Sequence, residues 1–380
     1  MDLRFSKDQE QIQKEARLFL KKECPMEYVR EMFEDEKGFT DKIWNKMAEL
    51  GWMGIHIPEE YGGIGLSLLD LCLVVEEMGR ALVPGPYFST VVLAAELLIE
   101  AGSQNQKQEH LTRIASGEER GTLALMEPDG GADPGFVQMS AKQDGDGYIL
   151  NGTKLFVPDA QTSDFIICTA RTTAGNNPAQ GITLFLLDAK TAGLTITPLK
   201  TMDGTRKQSE VLCKDVKVSP DSIVGEINNG WAPLQRVLSR ASVCLCAENT
   251  GAAQKSMEVA VDYAKERHQF GVPIGAFQAI KHKCADMLPG VEGSRGLLYY
   301  AAWAMEEEDS TTASMAAAAA KTFSANALRD ISTDTIQVLG GVGFTWEYDA
   351  HFYMKRAKAN QVMLGDNAYY WEEISKMLGY

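Results

Sequence analysis

The sequence predicts an α+β fold built from three consecutive domains. Apolar residues recur at helical spacing before residue 120 and again after Trp231, whereas short apolar runs separated by Gly, Asp, Asn and Pro fill the region between. With 380 residues, 45% of them hydrophobic, the chain can bury one large core or two to three smaller ones. We therefore expect an N-terminal all-helical domain (1–120), a middle antiparallel β domain (121–226) and a C-terminal four-helix-bundle domain (227–380).

The helical domains are predicted from long stretches with a period near 3.6 residues. In the N-terminal part these are LSLLDLCLVVEEMGRALV and VVLAAELLIEAG, with breaks at Pro58, at Gly62-Gly63 and at the Pro-Gly-Pro sequence 84–86. In the C-terminal part they are CAENTGAAQKSMEVAVDYAKERHQF, FQAIKHKCADML and SMAAAAAKTFSANALRDISTDTIQVL. Neither part contains an internal repeat or a disordered linker.

The middle domain is predicted from six or seven short β-type runs that have no helical pattern between them. They include GTLALMEP, GYILNGTKLFV, DFIICTAR, GITLFLLD, LTITPL and SEVLCKDVKV. Short strands joined by tight turns, without crossover helices, favour a small antiparallel barrel or sandwich.

Composition narrows the possible functions. The net charge of −15 and pI near 4.9 argue against a nucleic-acid groove, which needs a basic surface. No apolar run reaches the roughly 20 residues of a membrane span, and the first residues are charged rather than signal-like, so we expect a cytoplasmic protein. The seven cysteines form no CxxC pair and no cysteine-histidine cluster at zinc spacing, so no metal site is expected. Cys244 and Cys246 form a CxC that is either a pair of buried thiols or a redox or metal site.

Four segments have a composition that suits ligand binding. MEPDGGAD (126–133) follows an apolar strand and is either an ordinary turn or a loop whose backbone approaches a flat ligand. GTKLFVPDA (152–160) places Phe156 between strands, as core or as a ligand platform. ERHQFGVPIGAFQAIKH (266–282) carries Arg267, whose guanidinium suits a pyrophosphate or the end of a helix dipole. QVLGGVGF (337–344) places two glycines after a helix, as a C-cap or as a point of close approach to a phosphate or a ring.

No Walker loop occurs, and no GxGxxG follows a strand, so any nucleotide must be held in another way. In this order and at these separations, the four segments and the loop PEEYGGIGLS (58–67) closely resemble the acyl-CoA dehydrogenase family of flavoproteins. MEPDGGAD stands for the family's TEPxxGSD, GTKLFVPDA for its GxKxWITN, and the last segment extends to QVLGGVGFTWEY. The resemblance covers nearly the whole chain, and the family's three-domain fold agrees with the pattern of helices and strands.

The resemblance implies an oxidoreductase in which FAD lies between the β domain and the C-terminal helices. A carboxylate removes the α-proton of an acyl-CoA while the β-hydrogen leaves as hydride to the flavin, which gives a 2-enoyl-CoA. Electrons then pass to an electron-transferring flavoprotein or a similar acceptor, as in the degradation of fatty and other carboxylic acids. A homotetramer or heterotetramer is implied, with no nucleic acid and no membrane span.

The family's cofactor residues map onto two groups in this sequence. Met126, Ala132, Phe156 and Pro158 would line the flavin. The FAD pyrophosphate and adenosine would be held, partly across a subunit interface, by Arg267, Phe270, Gln337, Gly340 and Gly341. Met126, Ala132 and Pro158 replace a Thr, a Ser and a Thr, so three hydroxyl donors of the family pattern are absent.

Both positions of the family's catalytic base are apolar in this chain. Leu364 stands at the Glu of the YEGT motif, and Ala241 stands at the second location, on the helix before the ERxxFG motif. Glu248, two turns along the same helix face as Ala241, is one candidate base, although it is also a candidate for a buried glutamate paired with a neighbouring helix. Asp366 is the other candidate base, with a helix cap or a ribose contact as its alternatives.

The substrate is predicted to be bulky. The residues Ala241, Ser242, Leu364 and Gly365 would contact it, and three of them, Ala241, Ser242 and Gly365, are small, which leaves room for a branched or alicyclic acyl group. The combination of FVPD, AEN and LGDN resembles a branch of the family that handles such substrates, some of whose members are α2β2 heterotetramers. Two alternatives remain: a base-lacking partner subunit, and a flavin-containing lyase-type enzyme acting on a CoA thioester.

Overall fold

The computed structural model describes residues 5–380, which form two compact units. The first unit contains the residues up to Glu31 together with Leu68–Val83 and Ser242–Tyr380, and the second contains Met32–Ser67 and Pro84–Ala241. Along the chain the order is helices, then strands, then helices, so the predicted α+β organisation is confirmed. The compact units do not coincide with the three predicted domains, whose boundaries stay predictions.

The N-terminal third is helical, in short elements. The helices are α1 (Lys7–Glu23), α2 (Met26–Glu34), α3 (Asp41–Glu49), α4 (Leu68–Arg80), α5 (Glu96–Ala101), α6 (Gln104–Gln106) and α7 (Thr112–Ala115). A π-helical segment, Phe88–Ala95, leads into α5, and another, Lys107–Leu111, lies between α6 and α7. Helix α1 begins with a capping box, in which Ser6 and Gln9 satisfy each other's backbone N–H groups.

The second unit contains the β domain, an eight-stranded sheet in the order β6-β7-β3-β2-β4-β5-β8, with β1 paired to β4. All neighbours are antiparallel except β1 with β4 and the single pair between β2 and β4. The strands are β1 (Gly121–Ala124), β2 (Ser140–Asp144), β3 (Gly147–Pro158), β4 (Phe165–Arg171), β5 (Ile182–Asp188), β6 (Leu194–Leu199), β7 (Gln208–Val218) and β8 (Ile223–Val224). Buried aliphatic and aromatic side chains from six of these strands form its core.

The first unit combines α1 and α4 with the C-terminal helices. These are α8 (Trp231–Glu266, which joins this unit from Ser242 on), α9 (Gln278–Glu307), α10 (Ser310–Leu339), α11 (Ala350–Val362) and α12 (Asn367–Met377). A short hairpin formed by the two-residue strands β9 (His268–Gln269) and β10 (Val272–Pro273) separates α8 from α9.

Two glycines allow α4 and α8 to pack backbone to backbone. A Cβ on Gly79 would lie 2.0 Å from the Glu248 carbonyl oxygen, and one on Gly251 would lie 1.7 Å from that of Glu76. Any larger residue would therefore push the helices apart. This close approach fixes the segment of α8 that carries Glu248.

Candidate active site

The turn between α11 and α12 holds the residues that replace the expected base motif. Its backbone is left-handed at two consecutive positions, with φ of +61° at Leu364 and +112° at Gly365. Asp366 is the N-cap of α12, and its Oδ1 accepts a hydrogen bond from the Tyr369 N–H at 2.9 Å. The cap was one of the roles that the sequence left open for Asp366, and its role as a base stays a prediction.

A buried lysine on α10 contacts this turn. The Nζ of Lys321, a fully buried residue, donates to the carbonyl oxygens of Asn360 (3.0 Å), Gln361 (3.4 Å) and Gly365 (3.3 Å). Burial lowers the pKa of Lys321 to about 8, against smaller opposing effects of Cys246 and Asp366. The ammonium group therefore satisfies carbonyls at the end of α11 and in the turn at once.

A second contact to the turn comes from α12. Tyr370 donates its hydroxyl to the Leu364 carbonyl oxygen at 2.9 Å, and its hydroxyl lies 2.6 Å from that of Ser242 on α8. Burial raises the pKa of Tyr370 to about 12, so the phenol is neutral at physiological pH. The structure thus brings Ser242, Leu364 and Gly365 together. Ala241, the residue before Ser242 on α8, is fully buried.

Glu248 lies in a buried polar network between α8 and α11. Its Oε1 accepts from a guanidinium N–H of Arg356 at 2.8 Å and from the Asn360 Nδ2 at 3.0 Å. Glu248 is 4% exposed and Arg356 is 1% exposed, so the ion pair is shielded from water. Asn360 also donates to Asn249 at 2.8 Å. This arrangement corresponds to the alternative of a glutamate paired with a neighbouring helix, and no contact of the structure tests Glu248 as a base.

The predicted pyrophosphate and adenosine residues of the first unit are exposed. Arg267 directly follows α8, is exposed, and makes no ion pair within residues 5–380. Phe270 is at the tip of the hairpin, 92% exposed, with its ring centroid 6.1 Å from that of Phe277. Gln337 on the last turn of α10 is exposed as well.

The two glycines after α10 have the cap geometry that the sequence left open. Gly340 is the C-cap of α10, with φ +68° and ψ −145°, and its N–H donates to the Ile336 carbonyl oxygen. Gly340 and Gly341 are both exposed, with no atom within 4 Å of where a Cβ would be. A cap that stays this open leaves the backbone accessible to a ligand.

The predicted flavin residues of the second unit lie on β3 and on the loop after β1. The pairing of β3 with β7 shifts register between Lys154 and Val157, and within this bulge Phe156 has φ +53°. The bulge leaves the Phe156 ring 47% exposed, so this aromatic is not core. Met126 and Pro158 are half-buried and Ala132 is buried.

A buried ion pair that the sequence analysis did not single out fixes this loop to the sheet. The Nζ of Lys154, fully buried on β3, donates to Glu127 at 2.6 Å, to Thr169 at 2.7 Å and to the Leu125 carbonyl oxygen at 3.1 Å. The Glu127 carboxylate also accepts from the Met139 N–H at 3.0 Å. A lysine in the middle of an apolar strand was the available signal, because such a charge needs a carboxylate partner.

Comparison with known proteins identifies the fold and the family. Models described as the N-terminal, middle and C-terminal domains of acyl-CoA dehydrogenase match residues 6–118, 122–216 and 228–379. The probable acyl-CoA dehydrogenase YngJ of Bacillus subtilis (strain 168) is 34% identical over 369 residues, 95% of each chain. The chain belongs to the acyl-CoA dehydrogenase family.

Two further proteins are similar to this chain along most of its length. The 3-(aryl)acrylate reductase of Clostridium sporogenes (strain ATCC 15579) is 35% identical over 349 residues, 90% of this chain and 91% of that protein. A solved variant of the Tcur3481–Tcur3483 steroid ACAD has a TM-score of 0.87 at 29% identity and covers 98% of this chain and 97% of that one. Both relatives match along nearly the full length of this chain.

Acyl-CoA dehydrogenases are FAD-dependent oxidoreductases that act on CH–CH bonds. The donors present fit FAD, because an exposed guanidinium suits the pyrophosphate, an exposed aromatic face suits the isoalloxazine ring, and two exposed glycines permit close backbone contact. In the first unit these are Arg267, Gly340 and Gly341, and in the second unit the aromatic is Phe156.

Cys244 and Cys246 are buried free thiols, and burial raises the pKa of Cys246 to about 12, so it stays protonated. Among residues 5–380, no group of three or more His, Cys, Asp and Glu side chains could hold a metal ion. Within the same residues, every helix is too short or too polar to cross a membrane.

Proposed function

We propose that this chain catalyses FAD-dependent α,β-dehydrogenation of an acyl-CoA whose acyl group is branched, alicyclic or otherwise bulky. The observation that carries the proposal is the small size of three of the four predicted acyl contacts, Ala241, Ser242 and Gly365, together with the absence of charge on the fourth, Leu364. The turn itself also favours a glycine at 365, because φ there is +112° and a Cβ would lie 2.6 Å from the Tyr369 ring. The names of the aryl-acrylate and steroid relatives describe bulky substrates for those proteins and support the same class here.

Different residues of the chain bind the cofactor, hold the 126–133 loop and shield the acyl group from water. Arg267 would hold the pyrophosphate of FAD and the exposed face of Phe156 would contact its ring system, while the Glu127–Lys154 pair keeps the 126–133 loop in place. FAD, when bound, would accept the β-hydrogen as hydride, and the α-proton would pass to the carboxylate of Asp366 or Glu248, the two candidate bases. Leu364, in the base position, contributes an apolar surface that excludes water from the acyl group, and water exclusion strengthens each polar contact to the thioester.

A second function, that of a base-lacking subunit in a heteromeric acyl-CoA dehydrogenase, is favoured by the state of the two candidate carboxylates. Glu248 is neutralised by Arg356, and Asp366 is engaged as a helix cap. A general base must be free to accept the α-proton at the reacting carbon. In this case the chain would help to hold FAD and to stabilise the fold of a complex whose homologous subunit provides the catalytic carboxylate.

Further proposals concern the partners and the location. We infer an electron-transferring flavoprotein or a similar flavoprotein as electron acceptor, and a tetrameric assembly. We place the protein in the cytoplasm, supported by seven free cysteines, six of them buried, which suit a reducing compartment.

An anaerobic titration tests these proposals. The purified protein is reconstituted with FAD, and its visible spectrum is followed while linear, branched, dicarboxylic, aromatic and alicyclic acyl-CoAs are added. Bleaching of the flavin band by bulky thioesters supports the dehydrogenase, whereas bleaching by short linear thioesters alone contradicts the bulky substrate. Bound flavin that no thioester bleaches, but that is bleached after a homologous subunit is added, supports the partner-subunit function.

A further inference from the structure

We propose that Lys321 is a positioning residue for the acyl-binding turn, which it holds in its left-handed conformation through backbone carbonyls. It does not touch the substrate. The inference rests on the proposed function, in which Leu364 and Gly365 line the acyl site. Lys321 lies on α10, outside the turn, and it determines whether the turn is ordered.

The geometry matches the three donors of an ammonium group to three acceptors. Two of these, the carbonyl oxygens of Asn360 and Gln361, belong to the last turn of α11, where helix carbonyls lack amide partners. The third, the carbonyl oxygen of Gly365, lies beyond the helix end. One cation therefore ties the end of α11 to the turn, and the negative end of the helix dipole favours a positive charge at this place.

The turn needs such support because its backbone is strained. Leu364 has a Cβ and a φ of +61°, a conformation that persists only where the surroundings impose it. Lys321 holds one side through Gly365, and Tyr370 holds the other through the Leu364 carbonyl oxygen. The two side chains also meet, with the Lys321 Nζ 5.7 Å from the centroid of the Tyr370 ring.

The charge on Lys321 has few compensating groups around it. Asp366 at the start of α12 and the Cys246 thiol on α8 are the groups that raise its pKa, while Tyr370 presents a neutral phenol and α11 presents the carbonyl oxygens of Asn360 and Gln361. Burial outweighs these effects and lowers the pKa of Lys321 to about 8. The lysine is therefore cationic at pH 7 and largely neutral at pH 9, where it loses its charge-assisted bonds to the turn.

Amide hydrogen exchange of the peptide spanning 360–370 measures the order of the turn directly. Lys321→Met retains the length of the stem and removes the three donors. We expect exchange in the turn to rise at least about tenfold in this variant, because charge-assisted bonds are lost from a local structure. Lys283→Met is the matched control: it removes a half-exposed lysine that pairs with Asp334 on α10, and it leaves the turn unchanged.

The wild-type protein provides a second measurement that does not depend on how the variant folds. After correction for intrinsic exchange, protection of the turn should fall between pH 7 and pH 9, while protection of β3 stays constant. In Lys321→Met this pH dependence should disappear, and with an accepted acyl-CoA its KM should rise more than its kcat falls. The proposal is overturned if the turn of the wild type is equally protected at pH 7 and pH 9. It is also overturned if, at pH 7, the turn of Lys321→Met is as protected as that of the wild type. Because exchange needs no substrate, that result is distinct from a failure of every acyl-CoA to bleach the flavin.

Discussion

Replacement of Glu248 by Gln separates a structural carboxylate from a catalytic one. The side chains of Glu248 and Arg356 are 6% and 2% exposed, and their ion pair is 2.8 Å long. Glutamine keeps an acceptor oxygen but removes the charge that compensates the buried guanidinium. Breaking a buried pair from one side costs about 3–5 kcal/mol, and the retained acceptor places this change near 3 kcal/mol.

The expected result is a less stable protein that still reduces its flavin. For 380 residues that unfold together the entropy of unfolding is about 0.8 kcal/mol/K, so the loss lowers the midpoint of thermal unfolding by roughly 4 °C. Flavin reduction by an accepted acyl-CoA, measured by anaerobic stopped flow well below that midpoint, should stay within about threefold of the wild type, since removal of a true general base costs about 100-fold or more. An unchanged midpoint together with a 100-fold loss of flavin reduction would refute the structural role and establish Glu248 as the base.

Two further variants control for the location and the charge. Glu258→Gln removes a carboxylate from the same helix, where Glu258 pairs with Arg80 and both side chains are partly exposed. We expect it to cost at most about 1 kcal/mol, because solvent screens this pair. The double variant Glu248→Leu with Arg356→Met removes both buried charges and should recover much of the stability lost in Glu248→Gln.

Three other predictions follow from individual contacts. Lys154→Met leaves the Glu127 carboxylate buried without its ammonium partner, so it should cost about 3–5 kcal/mol and raise the FAD dissociation constant measured by flavin fluorescence; unchanged FAD affinity would argue against a role in holding the loop. Leu364→Glu places a carboxylate at the family's usual base position and should raise flavin reduction at least about 100-fold if the chain lacks a base, whereas equal or lower rates would indicate that the chain already has one. Burial, with Lys355 and Arg30, lowers the pKa of His351 to about 4 from 6.5, so its contribution to stability is lost as the pH falls from 6.5 to 4; His351→Phe should flatten thermal unfolding midpoints over that range, and an unchanged slope would contradict the assignment.

The fold could be predicted because its pattern is local. Periods of 3.6 and 2 residues separate the helical parts from the β domain, and these periods reflect which face each element buries. Strand β2 could not be predicted because SAKQD has a single buried side chain, Ala141, and is otherwise polar, so no apolar alternation marks it. Its place in the sheet comes from antiparallel pairing with β3 and not from its own composition.

The candidate site could be predicted only as far as its motifs reach along the chain. The apolar neighbours of Glu248 correctly indicated burial, but its partner Arg356 lies 108 residues away on another helix, and no local pattern connects them. Lys321 could not be recognised as buried for the same reason. A lysine in an alanine-rich helix is normally solvated, and Lys321 is buried only because α11 and α12 pack against it. A buried charge is costly unless it is paired, so each such residue in an apolar helix or strand should prompt a search for a partner or an acceptor set. Applied to this chain, that rule identifies Lys154, whose contacts hold the 126–133 loop, Glu248, which pairs with Arg356 on α11, and Lys321, which contacts the turn between α11 and α12.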